Sequence, residues 1–199
     1  MNGLVLAGGK SSRMGRDKSS IPWHGKEQQY YMGDILKTLC KEVFISHREE
    51  QGFEMNENYK ILIDTYTGIG PYGAILSAFK FMPDAAWLVV ACDLPLLDEK
   101  TLGYLVANRN EDAMATIFQS PNDGLPEPLI TIWEPKSYQV LLSYLSNGHT
   151  CPRKVLIKSS DVHLLQPPDG NALMNVNTPE DLVKAEQIIV QKKELHDAG

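Results

Sequence analysis

Residues 4–18, LVLAGGKSSRMGRDK, hold the densest grouping of side chains and backbone able to handle an anion. An apolar run ends at Leu6 and Ala7 and leads into Gly8 and Gly9, where missing side chains let a phosphate approach the main-chain amides. Lys10, Arg13, Arg16 and Lys18 are opposed only by Asp17, so this stretch is cationic within a chain of net charge −6. The spacing matches neither GxGxxG nor GxxxxGK[ST], which sets aside a dinucleotide-binding oxidoreductase and a P-loop NTPase. Phosphate binding at the end of a first strand is the expected chemistry.

A second group lies in WLVVACDLPL, residues 87–96, an apolar strand that ends at Asp93 and is stopped by Pro95. In open α/β sheets ligands sit beyond the carboxyl ends of strands. An aspartate placed there can hold a magnesium ion and present it to phosphates, and it can equally cap a turn. Asp64 closes KILID in the same manner, followed by Gly68, Gly70, Pro71 and Gly73 before a helix. Alone Asp64 reads as a turn residue; beside the cationic loop it becomes a candidate for base, ribose or metal-water contacts.

Positioning these residues requires a sheet with helices between its strands. Short apolar runs predict strands at Gly3–Leu6, Val43–Ser46, Ile61–Ile63, Trp87–Ala91 and Met114–Phe118, with weaker ones at Leu129–Ile132, Val162–Leu165 and near Leu173. Helices are expected at Tyr30–Cys40, Tyr72–Phe81, Glu99–Asn108, Lys136–Asn147 and Arg153–Ile157. A final helix opens with Thr178 as N-cap, Pro179 at the first helical position, and Glu180 and Asp181 at the positive end of the dipole. Its Leu182, Ala185 and Ile189 share one face. The segment SPNDGLPEP, residues 120–128, reads as a surface loop. This rhythm predicts an α/β fold with a largely parallel sheet covered on both faces.

The chain has 199 residues, 43% hydrophobic and 22% charged, which fits one folded domain over 1–199 and excludes disorder or a fibrous coil. Its negative balance argues against nucleic acid or an anionic membrane as the main partner. No apolar stretch approaches the ~20 residues of a membrane span, and MNGLVLAGGK lacks the layout of a secretory leader, so a cytoplasmic protein is expected. Cys40, Cys92 and Cys151 are widely spaced without a CxxC pair or an adjacent histidine, and are expected to be free, non-catalytic thiols.

Taken in order, LAGGKSSRMGRDK, the pair Ile63-Asp64, GIGPYGAILSA, ACDLP and NVNTPEDL resemble the molybdenum cofactor guanylyltransferases over about Gly3 to Ala185. The wider nucleotidyltransferase superfamily shares the first loop and the aspartate strand end, and NVNTPEDL narrows the match. The resemblance implies a three-layer α/β/α Rossmann-like nucleotidyltransferase fold with a mostly parallel mixed sheet. It further implies joining of GMP, from GTP, to molybdenum-carrying molybdopterin, with release of pyrophosphate. On the matching positions, Leu6, Ala7 and Gly8 would hold the nucleotide through their backbone, with Gly9 and Gly73 beside it. Lys18 would hold its phosphates, Asp64 the nucleoside side, and Asp93 both nucleotide and Mg²⁺; Arg13 joins Lys18 near the phosphates. Asn175 and Asn177 match a late asparagine pair on the pterin side, and also suit the turn into the last helix. Cofactor-delivery and molybdoenzyme-maturation proteins are the implied protein partners.

Two departures stand out. ISHR places His47 where the family often has asparagine before an arginine, and a lone histidine there reads as a surface or internally satisfied residue. GKEQQYYMGDIL is more polar than the family's usual first-helix start, a change expected to affect the surface. The alternatives are a related enzyme using CTP or another NTP on a pterin, sugar or alcohol phosphate, and a nucleotide-binding module without turnover.

Overall fold

The computed structural model describes residues 1–7, 21–49, 56–176 and 178–197. Seven strands are joined by helices: β1 (Asn2–Leu6), α1 (Gln28–Leu39), β2 (Val43–His47), β3 (Lys60–Ile63), α2 (Pro71–Phe81), β4 (Trp87–Ala91) and α3 (Glu99–Ala107) come first. Then follow β5 (Ala115–Gln119), β6 (Pro126–Trp133), α4 (Ser137–Ser146), α5 (Pro152–Lys158), β7 (Val162–Leu165) and α6 (Pro179–Asp197). The sheet order is β3-β2-β1-β4-β6-β5-β7. Every neighbouring pair is parallel except those made by β6, which runs antiparallel to β4 and β5.

Alternation along the strands builds the layers. Val5, Leu88 and Val90 pack with Met32 and Leu36 of α1 and Leu102 of α3 on one face. Leu4, Trp87 and Val89 pack with Ile75 and Phe79 of α2 and Leu141 of α4 on the other. A period of two sends successive side chains to opposite faces, and both faces are apolar, so the strands read as nearly continuous hydrophobic runs. This is the expected three-layer α/β/α arrangement with a mostly parallel mixed sheet.

The chain winds from β1 outward through β2 and β3, then crosses to β4 on the other side of β1. The crevice between the ends of β1 and β4 is therefore the topological switch point, where such sheets bind ligands. Leu6 is in register with Ser46 of β2 and Ala91 of β4, so three strands end level with one another.

Three expectations are corrected. β6 starts at Pro126, not near Leu129, and takes the end of SPNDGLPEP out of the loop. Prolines are tolerated there because they lie at the strand's start, where the β5–β6 register shifts between Ile117 and Gln119. The piece near Leu173 is a 3₁₀ turn, Gly170–Leu173, set by Asp169 Oδ1 accepting from Asn171 N at 2.9 Å. α1 begins at Gln28, two residues earlier than expected. The α6 start matches its prediction: Asp181 N donates to Thr178 Oγ1 at 3.1 Å, and Thr178 N donates back to Asp181 Oδ2 at 2.9 Å.

At the start of α2, a Cβ on Gly73 would lie 1.9 Å from the Tyr66 carbonyl oxygen, a backbone atom that cannot swing away. The Ser77 hydroxyl fixes the same loop, accepting from Thr65 N at 2.8 Å and donating to the Gly73 carbonyl at 2.7 Å. Gly73→Ala is therefore expected to cost about 3 kcal/mol, at the upper end of the usual overpacking range. Denaturant unfolding measures this, and a loss below about 0.5 kcal/mol would contradict the close approach.

Candidate active site

Leu6 ends β1 within the carboxyl edge and Ala7 follows it, both buried. Ala7 N donates to the Ser46 carbonyl and Cys92 N to the Leu6 carbonyl, each at 3.4 Å, which extends the ladder past the strands on both sides. Gly8, Gly9, Arg13 and Lys18 lie outside the described residues, but the chain leaves β1 at this central point and returns at residue 21. Cys40, Cys92 and Cys151 form no disulfide.

On one side of β1, Asp64 follows β3. Its amide donates to the His47 carbonyl at 2.8 Å, and Ser46 Oγ donates to Asp64 Oδ1 at 2.7 Å. Burial pushes the Asp64 carboxyl up to about 6, with the Ser46 hydroxyl and the Arg48 charge pulling it back down. The folded chain thus holds this proton more tightly than the unfolded chain, whose aspartate titrates near about 3.9. The stabilisation from the neutral acid is complete below that value and is lost as pH rises through about 6. Asp64→Asn keeps the shape and removes the charge. It is expected to stabilise the protein at pH 8 by on the order of 2 kcal/mol, a gain that shrinks toward pH 4. Unfolding curves at the two pH values test this, and a gain independent of pH would contradict it.

On the other side, Asp93 follows β4. Its carbonyl accepts from Val176 N at 2.9 Å, which brings Asn175 alongside. Asn177 is outside the described residues. Three strand spacings separate the ends of β3 and β4, on the order of 14 Å. Asp64 and Asp93 therefore lie too far apart at their strand ends to share one ion, and they flank β1 from its two sides.

Three buried polar groups escaped the sequence reading. Gln28 is fully buried and donates through Nε2 to the Leu94 carbonyl at 3.2 Å, tying α1 to the residue after Asp93. Gln29 is 6% exposed and contacts His47, itself 5% exposed. The polar start of α1 is thus an interior feature, which corrects the expectation that it alters only the surface. The third, Glu127, sits where the β4–β6 register, continued from Val90 opposite Ile130, runs past Asp93. Its Oε2 accepts from Arg153 Nη2 at 2.9 Å, and Arg153 Nη1 reaches Asp123 Oδ2 at 2.9 Å. Burial raises the Glu127 carboxyl, Asp93 and Asp123 add to the rise, and Arg153 and the Leu129 amide oppose it.

Among the described residues no group of three or more His, Cys, Asp or Glu side chains is arranged as a metal cage. Magnesium seldom uses such cages; it is held by one or two carboxylates with water and substrate phosphates completing the shell. The surroundings of Asp93 fit that use. Asn175, which precedes the Val176 amide bonded to the Asp93 carbonyl, has a buried Oδ1 that meets no donor among the described residues, a hard oxygen of the kind a hydrated cation takes.

The chain is similar to known proteins in sequence and in fold. The family model of the MobA-like NTP transferase domain matches residues 3–162. A molybdenum cofactor guanylyltransferase of Xanthomonas euvesicatoria pv. vesicatoria is 30% identical over 186 residues, covering 89% of this chain and 90% of its own. A molybdenum cofactor biosynthesis bifunctional protein of Synechocystis sp. is 36% identical over 181 residues, 90% of this chain. The match covers 52% of that relative, so the chain spans about half its length. In fold, the molybdopterin-guanine dinucleotide biosynthesis protein A of Archaeoglobus fulgidus superposes with a TM-score of 0.75 at 20% identity, covering 96% of this chain and 100% of that one. With its central sheet, switch-point aspartate and matched span, the chain belongs to the MobA-like nucleotidyltransferases, the family that includes the molybdenum cofactor guanylyltransferases.

Proposed function

We propose that this nucleotidyltransferase moves GMP from GTP to molybdenum-loaded molybdopterin, forming molybdopterin guanine dinucleotide and pyrophosphate. The observation that carries the reading is Asp93 at the carboxyl end of β4, beside the end of β1 from which the glycine-rich, cationic sequence 8–20 continues. The name of the Xanthomonas relative supports guanine and the molybdenum cofactor as substrates.

The terminal phosphate of the acceptor is already an anion at neutral pH, so an in-line attack on the α-phosphorus needs no serine, cysteine or histidine nucleophile. Position and charge supply the catalysis. The backbone of Leu6, Ala7, Gly8 and Gly9 cradles the nucleotide, Lys18 and Arg13 hold its phosphates, and Asp64 receives the nucleoside end. Asp93 holds Mg²⁺, and Asn175 and Asn177 face the pterin side. Held there, Mg²⁺ would supply compensation for charge on the α-phosphate and the leaving pyrophosphate. Proteins that deliver the acceptor and take up the product complete the proposed set of partners. Among the described residues no helix is long and apolar enough to cross a membrane.

The alternative is use of CTP on the same acceptor, since His47 stands where the family often has asparagine and a nucleoside contact is not carried over at that position. Competition among GTP, CTP, ATP and UTP for one limiting pool of loaded molybdopterin decides between the two. Guanine dinucleotide as the dominant product supports the proposal, and cytosine dinucleotide overturns its base assignment.

A further inference from the structure

The two departures of this chain from the pattern it otherwise follows, the polar start of α1 and His47 at the end of β2, meet inside the protein. The Glu27 carboxylate can only accept, so the 2.8 Å bond from Gln29 Nε2 to Glu27 Oε2 turns the Gln29 amide oxygen toward the histidine. His47 Nε2, 3.2 Å from Gln29 Oε1, is then the nitrogen that carries the proton and donates. From the same residue the main-chain carbonyl accepts from Asp64 N, while the preceding Ser46 hydroxyl donates to the Asp64 carboxylate. Since neighbouring side chains leave a strand on opposite faces, α1 grips the end of β2 from one side and Asp64 is held from the other.

We propose that Glu27, Gln29 and His47 form a positioning relay that fixes the end of β2, and through it Asp64, in the geometry that receives the nucleoside. This rests on the nucleotidyl-transfer reading above. Burial makes the partners mutually dependent. An apolar residue at 29 leaves the ring without its acceptor, and a shorter residue at 47 leaves the amide oxygen without its donor.

The test uses the full chain with GTP and Mg²⁺ for equilibrium nucleotide affinity, and with molybdenum-loaded molybdopterin added for kcat and KM, on the wild type, Gln29→Leu, His47→Asn, their double variant and His47→Gln. A glutamine amide nitrogen reaches the place of His47 Nε2, whereas that of asparagine stops short. Each of the two disruptive single changes is expected to raise the Kd and KM for GTP about tenfold with kcat held within about twofold. The double variant is expected to be no weaker than the weaker single, as coupled partners require. His47→Gln is expected to recover most of the affinity, which a merely structural role would not predict. Unfolding midpoints on the same set identify any variant whose loss comes from unfolding, and His47→Gln against His47→Asn then carries the comparison. Affinities within about twofold of the wild type, additive losses, or equal effects of Asn and Gln at 47 overturn the relay. Asp64→Ala in the same assay separates the two ideas. If it leaves GTP affinity unchanged, the nucleoside assignment itself falls; if it weakens binding while the relay variants do not, only the relay falls.

Discussion

Asp93→Ala is expected to lower turnover by about a thousandfold or more while leaving the protein folded. The main-chain carbonyl of Asp93, which accepts from Val176 N, is kept by the substitution. Its half-buried side chain lies beyond the end of β4 and belongs to neither apolar core. Turnover collapses because the acceptor and the nucleotide are both polyanions. On the role proposed for Asp93, losing the carboxylate that would hold the ion restores their repulsion and costs in-line alignment. The effect is expected in kcat, with a smaller rise in the KM for nucleotide, since the missing charge compensation matters most as the leaving pyrophosphate develops. Steady-state pyrophosphate release, with a thermal melt to confirm folding, checks this. A rate within a factor of about ten of the wild type would remove the metal role from Asp93.

Lys18→Ala is expected to lower kcat/KM for the nucleotide about a hundredfold, through both terms. Lys18 ends the run LAGGKSSRMGRDK, and a lysine meets phosphate as a compact point charge with rotatable donors. A hundredfold corresponds to about 2.7 kcal/mol, within the range of a charge-assisted contact to a phosphate inside a cleft. Unlike Asp93→Ala, this change should weaken nucleotide binding in the absence of acceptor, because the proposed contact of Lys18 is to the phosphates of the nucleotide itself. Titration of nucleotide into each variant separates the two patterns. Affinity and rate both unchanged in Lys18→Ala would show that the cationic loop serves another purpose.

The strands at 3–6, 43–46, 61–63 and 87–91 were legible in sequence because buried parallel strands leave a plain record, short apolar runs closed by turn residues. The two aspartates at strand ends were legible for the same reason, since a polar residue ending an apolar run marks the sheet's carboxyl edge. β6 was harder to read. Pro126 and Pro128 argue for a loop, and only the register with β5 and β4 shows that a strand already runs through them. Glu127 was missed as a consequence, since a glutamate between two prolines looks solvated until an arginine from α5 is seen against it. Gln28 and Gln29 were read as surface because polarity at a helix start is usually solvated. Their burial depends on partners distant in sequence, Leu94 and His47, that no local pattern encodes.

The most direct test of the central claim follows the phosphorus atoms. The protein, Mg²⁺ and molybdenum-loaded molybdopterin are incubated without oxygen with GTP labelled in either the α- or the γ-phosphate, and the products are resolved by mass. Transfer of GMP predicts α-label in a pterin guanine dinucleotide and γ-label in pyrophosphate, in equal amounts. Label from the γ-position in the pterin product, or GTP bound and returned intact with acceptor present, would contradict the account.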